Sequence, residues 1–349
     1  MPAPATPTPA FVAGLPKAEL HVHLEGTLEP ELKLALAQRN GVRLDQTTIE
    51  DVRASYRFDS LANFLAVYYP AMTVLEREQD FYDLAYTYLQ RAAAEGVVHV
   101  EMFFDPQAHT SRGVPLADVV GGYHRAAVDA AGLGVDAALI MCFLRDLPAD
   151  GDDHSAAATL DALLASPELT AMVVGVGLDS DERDNPPAKF ADVFARARAA
   201  GMHLTMHCDI DQPDSIEHIR QAVFEIGVER IDHGTNVVED DDLVDEVARR
   251  GLGLTCCPVS NGFVTSDMKS AEITQLLGRG VPVTVNSDDP AYFGAYVAGN
   301  YTALAKHASL STEQVITLAR NSFLISWIGD EQRAGYLADI DAYVDGFTG

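Results

Sequence analysis

Short apolar runs rich in β-branched and aromatic residues recur along the whole chain, with helix-patterned segments between them. This alternation limits the fold more than any other feature. Eight runs stand out: Lys17–His23, Val97–Phe104, Ala137–Leu144, Met172–Leu178, His203–Cys208, Arg230–His233, Gly251–Cys257 and Pro282–Ser287. Most are apolar on both faces, as parallel strands covered by helices must be. Segments with helical spacing, such as Pro115–Ala131, Ala188–Ala200, Ser215–Ile226, Asp240–Arg249 and Ser270–Leu277, fill the gaps. Eight β/α units within 349 residues favour a closed (β/α)8 TIM barrel of the α/β class over an open sheet.

The longest gap follows the first strand. Residues 24–96 contain helical stretches at Leu61–Tyr69 and Asp80–Ala94 and read as an insertion. In a barrel such an insertion sits on the catalytic face and can cover the site. Further helices are expected after the eighth strand, over Thr302–Lys306, Thr312–Leu324 and Glu331–Val344. Residues 1–10, MPAPATPTPA, read as a disordered Pro/Ala tail without the basic and apolar regions of a signal peptide. Residues 11–349 read as a single barrel domain.

Composition narrows the function. Acidic residues outnumber basic ones 52 to 24, a net charge of −28, which repels nucleic acid and anionic membrane surfaces. A small neutral or cationic substrate is compatible with that charge. No apolar stretch reaches the roughly 18 residues that a membrane helix needs. The cysteines, Cys142, Cys208, Cys256 and Cys257, form no CxxC pair or disulfide framework, which fits a reduced, cytoplasmic protein. No sequence feature specifies an oligomeric state.

The chemistry begins at His21-Val22-His23, at the end of the first strand. Alternation along a strand turns both imidazoles to one face, where they can chelate one metal. Taken alone, the pair reads more readily as hydrogen-bonded core histidines. Three further features reverse that reading: His207 ends the fifth strand, His233 ends the sixth, and Asn286-Ser287-Asp288-Asp289-Pro290 ends the eighth. All fall at C-terminal strand ends, where barrels of this kind place their chemistry. Three imidazoles and a carboxylate suit Zn²⁺ with one position left for water, and such a water ionises near neutral pH. His233 can then act as a base toward that water.

These residues resemble the adenosine/adenine deaminase family of the amidohydrolase superfamily. The likeness covers nearly the whole chain after the tail. It rests on Pro16–Gly26 (PKAELHVHLEG), Arg230–Gly234, Cys257–Asn261 and Asn286–Pro290. The stretches Glu25–Pro30, Gln79–Leu84, Phe103–Gln107, Gly177–Ser180 and Pro186–Phe190 look like the adenine branch, which acts on the free base. The resemblance implies a metal-dependent hydrolase barrel with one zinc per chain, held by His21, His23, His207 and Asp288. It implies His233 as the base for the attacking water and Asp289 as a hydrogen-bond partner of the purine imidazole nitrogen. It also places Ser180 in a loop against the purine edge. The implied reaction is hydrolytic deamination of adenine or a related 6-substituted aminopurine: hydroxide supplied by the zinc attacks C6, and ammonia leaves.

One position departs from the pattern. The family places a proton-donating Glu three residues after the third zinc histidine. Here the sequence reads His207-Cys208-Asp209-Ile210, and Ile210 cannot donate. Either a neighbouring acid, Asp209 first, protonates the ring, or the substrate has changed to a pterin-like or modified purine heterocycle. A catalytically silent purine-binding protein is a third possibility. Asp209 can also be read as a turn carboxylate ahead of the helix from Ser215. Elsewhere, His99 and Glu101 share one face of the second strand and read as a satisfied core pair. His203 reads as core, and His109, His124, His154, His218 and His307 as surface residues. Cys256-Cys257 reads as packing, and the acidic run Glu239–Asp242 as a helix start.

Overall fold

The computed structural model describes residues 6–58, 60–208 and 212–348. Its strands are β1 (Lys17–Glu19), β2 (Val97–Phe104), β3 (Asp136–Leu144), β4 (Gly175–Asp179), β5 (His203–Cys208), β6 (Arg230–His233), β7 (Gly253–Cys256) and β8 (Val283–Val285). They lie in chain order in one eight-stranded sheet. Every neighbouring pair from β1–β2 to β7–β8 is parallel. With helices between successive strands, this is the (β/α)8 TIM barrel read from the sequence.

The barrel closes where the chain beyond β1 meets the chain beyond β8. Val22 bridges Asp288, the His23 N–H donates to the Asp288 carbonyl at 3.0 Å, and the Asp288 N–H donates to the His21 carbonyl at 3.1 Å. The expected strand Lys17–His23 is thus a 3-residue ladder followed by bridges from Val22 and from His23, the latter to Phe103. Side chains stitch the rest of the seam. The Leu20 N–H donates to Asn286 Oδ1 (2.9 Å), the Ser287 N–H to Glu19 Oε1 (3.0 Å) and the Ala18 N–H to Ser322 Oγ (2.8 Å). Glu19 is fully buried, and burial pushes its carboxyl up to about 7 even though Tyr88 and Ser287 donate to it.

The segment after β1 is the expected helical insertion, with helices at Pro30–Asn40, Ile49–Ser55, Leu61–Ala71 and Glu78–Ala94. Local chemistry sets their ends. A capping box joins Thr48 and Asp51, and Gly41, at φ 69°, takes the left-handed turn that stops the helix from Pro30. Helix Leu61–Ala71 buries aromatic side chains against the segment after β8: Phe64 lies 5.1 Å from Phe293, and Tyr68 lies 5.5 Å from Tyr292, ring centre to ring centre. The insertion therefore roofs the C-terminal end of the barrel.

At the other end of the chain, helix Thr312–Leu324 has the bounds expected of it, and a Ser311–Gln314 capping box starts it. Helix Val297–His307 starts earlier than expected. Helix Ser215–Arg220 continues as a wider π turn over Gln221–Ile226 and stops at Gly227. Of the tail expected over residues 1–10, Pro9 and Ala10 instead open the helix Pro9–Gly14 with Thr8 as its cap, and residues 1–5 lie outside the described residues. Phe11 on that helix meets Phe347 edge-on at 5.0 Å, and burying this ring anchors the segment. Among the described residues no helix is long and apolar enough to cross a membrane.

Candidate metal centre and active site

The seam and the ends of β5 and β6 bring the expected histidines together. Donor atoms of His21, His207, His233 and Asp288 all lie within 4.8 Å of one another. His23 closes on two of them: its Nε2 is 3.1 Å from His207 Nε2 and 3.5 Å from Asp288 Oδ1. His21 Nε2 is 3.2 Å from Asp288 Oδ1, and His233 Nε2 is 3.8 Å from Asp288 Oδ2. All five side chains are buried. His233 and Asp288 adopt left-handed backbone, with φ of 57° and 64°, a conformation that costs an L residue about 1–2 kcal/mol. Strain of this kind collects where side-chain direction serves function, and here it turns both groups inward.

Hydrogen bonding sets which nitrogen of His21 carries the proton. Thr255 Oγ1 donates to Asp232 Oδ1 at 2.8 Å, so it accepts from His21 Nδ1 at 2.9 Å and leaves the Nε2 lone pair free. Thr205 donates to the other oxygen of Asp232, which lies 3.6 Å from His207 Nδ1. His23 Nδ1 lies 3.5 Å from Asp179 Oδ2. Burial lowers His23 and His233 to about 4 and His207 well below the ordinary histidine value. Burial opposes charge on His21 as well, but the Asp288 carboxylate outweighs it and raises that imidazole, so the cluster gathers Nε2 atoms around one carboxylate where a cation would be held. Among the described residues the polar neighbour of His21 Nε2 is the Asp288 carboxylate, on which His23 and His233 also converge. The donor set, nitrogen with one carboxylate, matches a zinc-type ion.

Beside this cluster lies a partly open cavity. Leu61, Phe64 and Tyr68 of the insertion form one wall, while His233, Asp289 and Ser180 form part of the other. Ser180 is in left-handed backbone at φ 72°. Burial, then the Asp288 charge, drives the Asp289 carboxyl well above its ordinary range. Gly26 lets the backbone approach Asp289, since a Cβ there would sit 2.7 Å from the Asp289 Cα. Asp209 and Ile210 lie outside the described residues.

Sequence reasoning missed two members of the cavity wall, Asp105 and Asp179. They fall in the stretches Phe103–Gln107 and Gly177–Ser180, and nothing local marked them as neighbours. Their carboxyls hydrogen-bond each other; burial, then the Asp179 charge, pushes Asp105 well up, and burial pushes Asp179 to about 7 against the hydrogen bonds from Asp105 and Cys142. The expectations for isolated histidines also need correction. His109 is fully buried with Nε2 2.9 Å from Glu25 Oε1, and His218 is buried with Nδ1 2.5 Å from Glu182, so neither is a surface residue. His203 is not core, because its side chain is 43% exposed, pairs with Glu229 and stacks on Trp327. His99 and Glu101 are the expected satisfied pair, and Asp240 caps helix Asp241–Arg250 as the acidic run suggested.

The adenosine deaminase family model matches residues 16–343. The chain belongs to that family. It is therefore a hydrolase acting on C–N bonds in cyclic amidines. An adenine deaminase of Paraburkholderia phytofirmans is 47% identical over 342 residues, spanning 97% of this chain and 96% of that protein. The crystal structure of an adenine deaminase from Arthrobacter aurescens superposes with a TM-score of 0.89 at 43% identity, covering 95% of this chain and all of the other. A Zn-bound amidohydrolase from Burkholderia ambifaria superposes with a TM-score of 0.86 at 28% identity, covering 99% and 97% of the two chains.

Proposed function

We propose that this family member is a one-zinc hydrolytic deaminase of adenine or a closely related 6-substituted aminopurine, acting in the cytoplasm. The observation that carries the reading is the convergence of His21, His23, His207, His233 and Asp288 at the wall of a cavity that Asp289 also lines. Its support from relatives is the adenine deaminases named above, which align over nearly their whole length. No disulfide joins Cys142, Cys208, Cys256 or Cys257, which fits a reducing compartment. We take residues from the helix at Pro9 onward as one catalytic domain.

In this reading His21, His23, His207 and Asp288 would hold a zinc ion, which when bound would supply a Lewis acid that lowers the pKa of a water toward neutrality. His233 takes the water's proton and orients the attack on C6 of the ring. Asp289 meets the imidazole nitrogen of the purine, and Ser180 lies along its edge. As oxygen adds to C6 a proton must reach the ring nitrogen, and we assign that donation to Asp209. The amino group then takes the proton held by His233 and leaves C6 as ammonia, and the proton left on the added oxygen returns to Asp209 as the C6 carbonyl forms. The lid helix Leu61–Ala71 excludes bulk water, which strengthens each of these contacts.

Turnover of a purine panel by the zinc-loaded protein, followed by ammonia release, tests the reading. Adenine or a 6-substituted purine is the expected substrate, and a panel without turnover rejects the proposal. Asp209→Asn is expected to lower kcat by about 10²-fold while sparing metal content. Because Ile210 stands where the family has its acid, a pterin-like substrate is the competing reading. Turnover of a pterin above every purine would establish it.

A further inference from the structure

Three buried carboxyls beside the centre have no task in the mechanism above: Glu25, Asp105 and Asp179. Donor-type atoms of His23, Asp105 and Asp179 lie within 4.8 Å of one another. Asp105 is 1% exposed and Asp179 3%, and both line the cavity. Apart from the contact between the two carboxyls and the Cys142 thiol against Asp179, no N–H or hydroxyl of another described residue hydrogen-bonds either oxygen of Asp179 or Oδ1 of Asp105. A buried acceptor without a donor costs on the order of 1–3 kcal/mol, more when charged. Such a cost is tolerable if the donor arrives with the ligand.

Glu25 explains why the pair is held in this state. Its Oε1 accepts from Tyr123 Oη (2.9 Å), from His109 Nε2 (2.9 Å) and from the Asp105 N–H (3.4 Å). Arg112 donates to His109 Nδ1 at 3.0 Å, which leaves Nε2 as the protonated nitrogen facing Glu25. Glu25 thus pins the backbone of Asp105 and adds negative potential beneath it.

We propose that Asp105 and Asp179 accept the N–H of the purine five-membered ring and so restrict this site to free bases. The proposal rests on the deaminase reading and assigns its specificity. A free purine whose C6 faces the histidine cluster still carries one N–H on its imidazole ring, and an acceptor pair in the cavity wall completes it. A substituent on N9 removes that donor and sets bulk against two buried carboxyls, which lose water without gaining a partner. A phosphate beyond it brings a further charge against the same acceptors, with no donor among them to replace its lost water. Nucleosides and nucleotides are rejected by the same groups.

The test uses the zinc-loaded full chain with adenine, 9-methyladenine, adenosine and AMP, together with calorimetric binding of hypoxanthine and 9-methylhypoxanthine. The 9-methyl group is expected to lower kcat/KM by about 10²- to 10⁴-fold and to weaken product binding in parallel. Asp105→Ala is expected to lower kcat/KM for adenine by about 10- to 100-fold while leaving 9-methyladenine within about threefold, closing the gap. Metal content should be one equivalent in both proteins, and a second equivalent lost on Asp105→Ala would overturn the proposal in favour of a metal at these carboxyls. Adenine turnover with 9-methyladenine accepted equally, or a gap unchanged in Asp105→Ala, also overturns it while leaving the deaminase reading intact. Neither turnover nor binding of any purine overturns both.

Discussion

The two ends of the barrel handle buried charge in opposite ways. At the N-terminal end, unlike groups meet. Glu101 accepts from Arg230 Nη1 at 2.5 Å and from the Trp327 N–H at 2.6 Å, and it lies 3.1 Å from His99 Nε2. His99 Nδ1 is 2.7 Å from Asp136, and the Arg230 guanidinium lies 4.1 Å from the Trp327 ring centre. At the C-terminal end, like groups meet. Imidazole faces imidazole at 3.1 Å, and the carboxyls of Asp105 and Asp179 face each other. The N-terminal arrangement stabilises the empty protein, whereas the C-terminal one is completed only by something added. A fold can carry the second because the first, and the apolar layers between, hold the strands in place.

The sharpest way to break this contrast is at the proposed metal ligands. His21→Ala and Asp288→Ala are expected to lose both metal and activity, whereas His233→Ala keeps its metal and loses about 10²- to 10⁴-fold in kcat. Elemental analysis beside turnover separates the two classes, and metal loss in His233→Ala would move it into the ligand set. At the opposite end, Glu101→Gln leaves Arg230 buried without its counter-charge. Stability in urea should fall by about 3–5 kcal/mol with metal content unchanged. A smaller loss would mean that Trp327 alone satisfies the guanidinium.

Two weaker perturbations sharpen the comparison. Thr255→Val removes the acceptor that fixes the His21 ring, and zinc affinity measured by competition with a chelator should drop about 10- to 100-fold. The last is a pH dependence. Burial opposes charge on His99, but hydrogen bonds to Asp136 and Glu101 outweigh it and raise the imidazole to about 9 from 6.5. A raised folded-state value gives stability that is complete below pH 6.5 and is lost as pH rises through about 9. Glu101 is lowered to about 2 from 4.5, because Arg230 and His99 outweigh burial, so its contribution is present above 4.5 and is lost as pH falls through 2. Melting temperature should therefore decline between pH 6.5 and 9 more steeply in the wild type than in His99→Gln. Parallel profiles would show that the pair does not titrate there.

Much of the centre could be read along the chain because each proposed ligand sits at a strand end. His21 and His23 share a face by alternation, and His207, His233 and Asp288 follow apolar runs whose C-terminal ends a barrel gathers. The helices were legible in type, since their apolar periodicity is local. Their ends were less so where a π turn at Gln221–Ile226 or a short docked helix at Pro9–Gly14 depends on neighbours. His109, His218 and His203 were misplaced for one reason. Their surroundings are set by Glu25, Glu182 and the Glu229–Trp327 pair, contributed from distant parts of the chain.

By itself the sequence determined the barrel, the roofing insertion and the family, because hydrophobic period and short motifs at strand ends are properties of contiguous residues. The tertiary structure alone decided that Asp105 and Asp179 face each other beside the Cys142 thiol, and that Glu25 is held by Tyr123 and His109. It also decided that β1 and β8 close through Glu19, Asn286 and Ser322. These are pairings between groups as much as 304 residues apart. Their geometry is set by strand register and by which side chains the closed barrel forces to share a volume, and no local pattern encodes that.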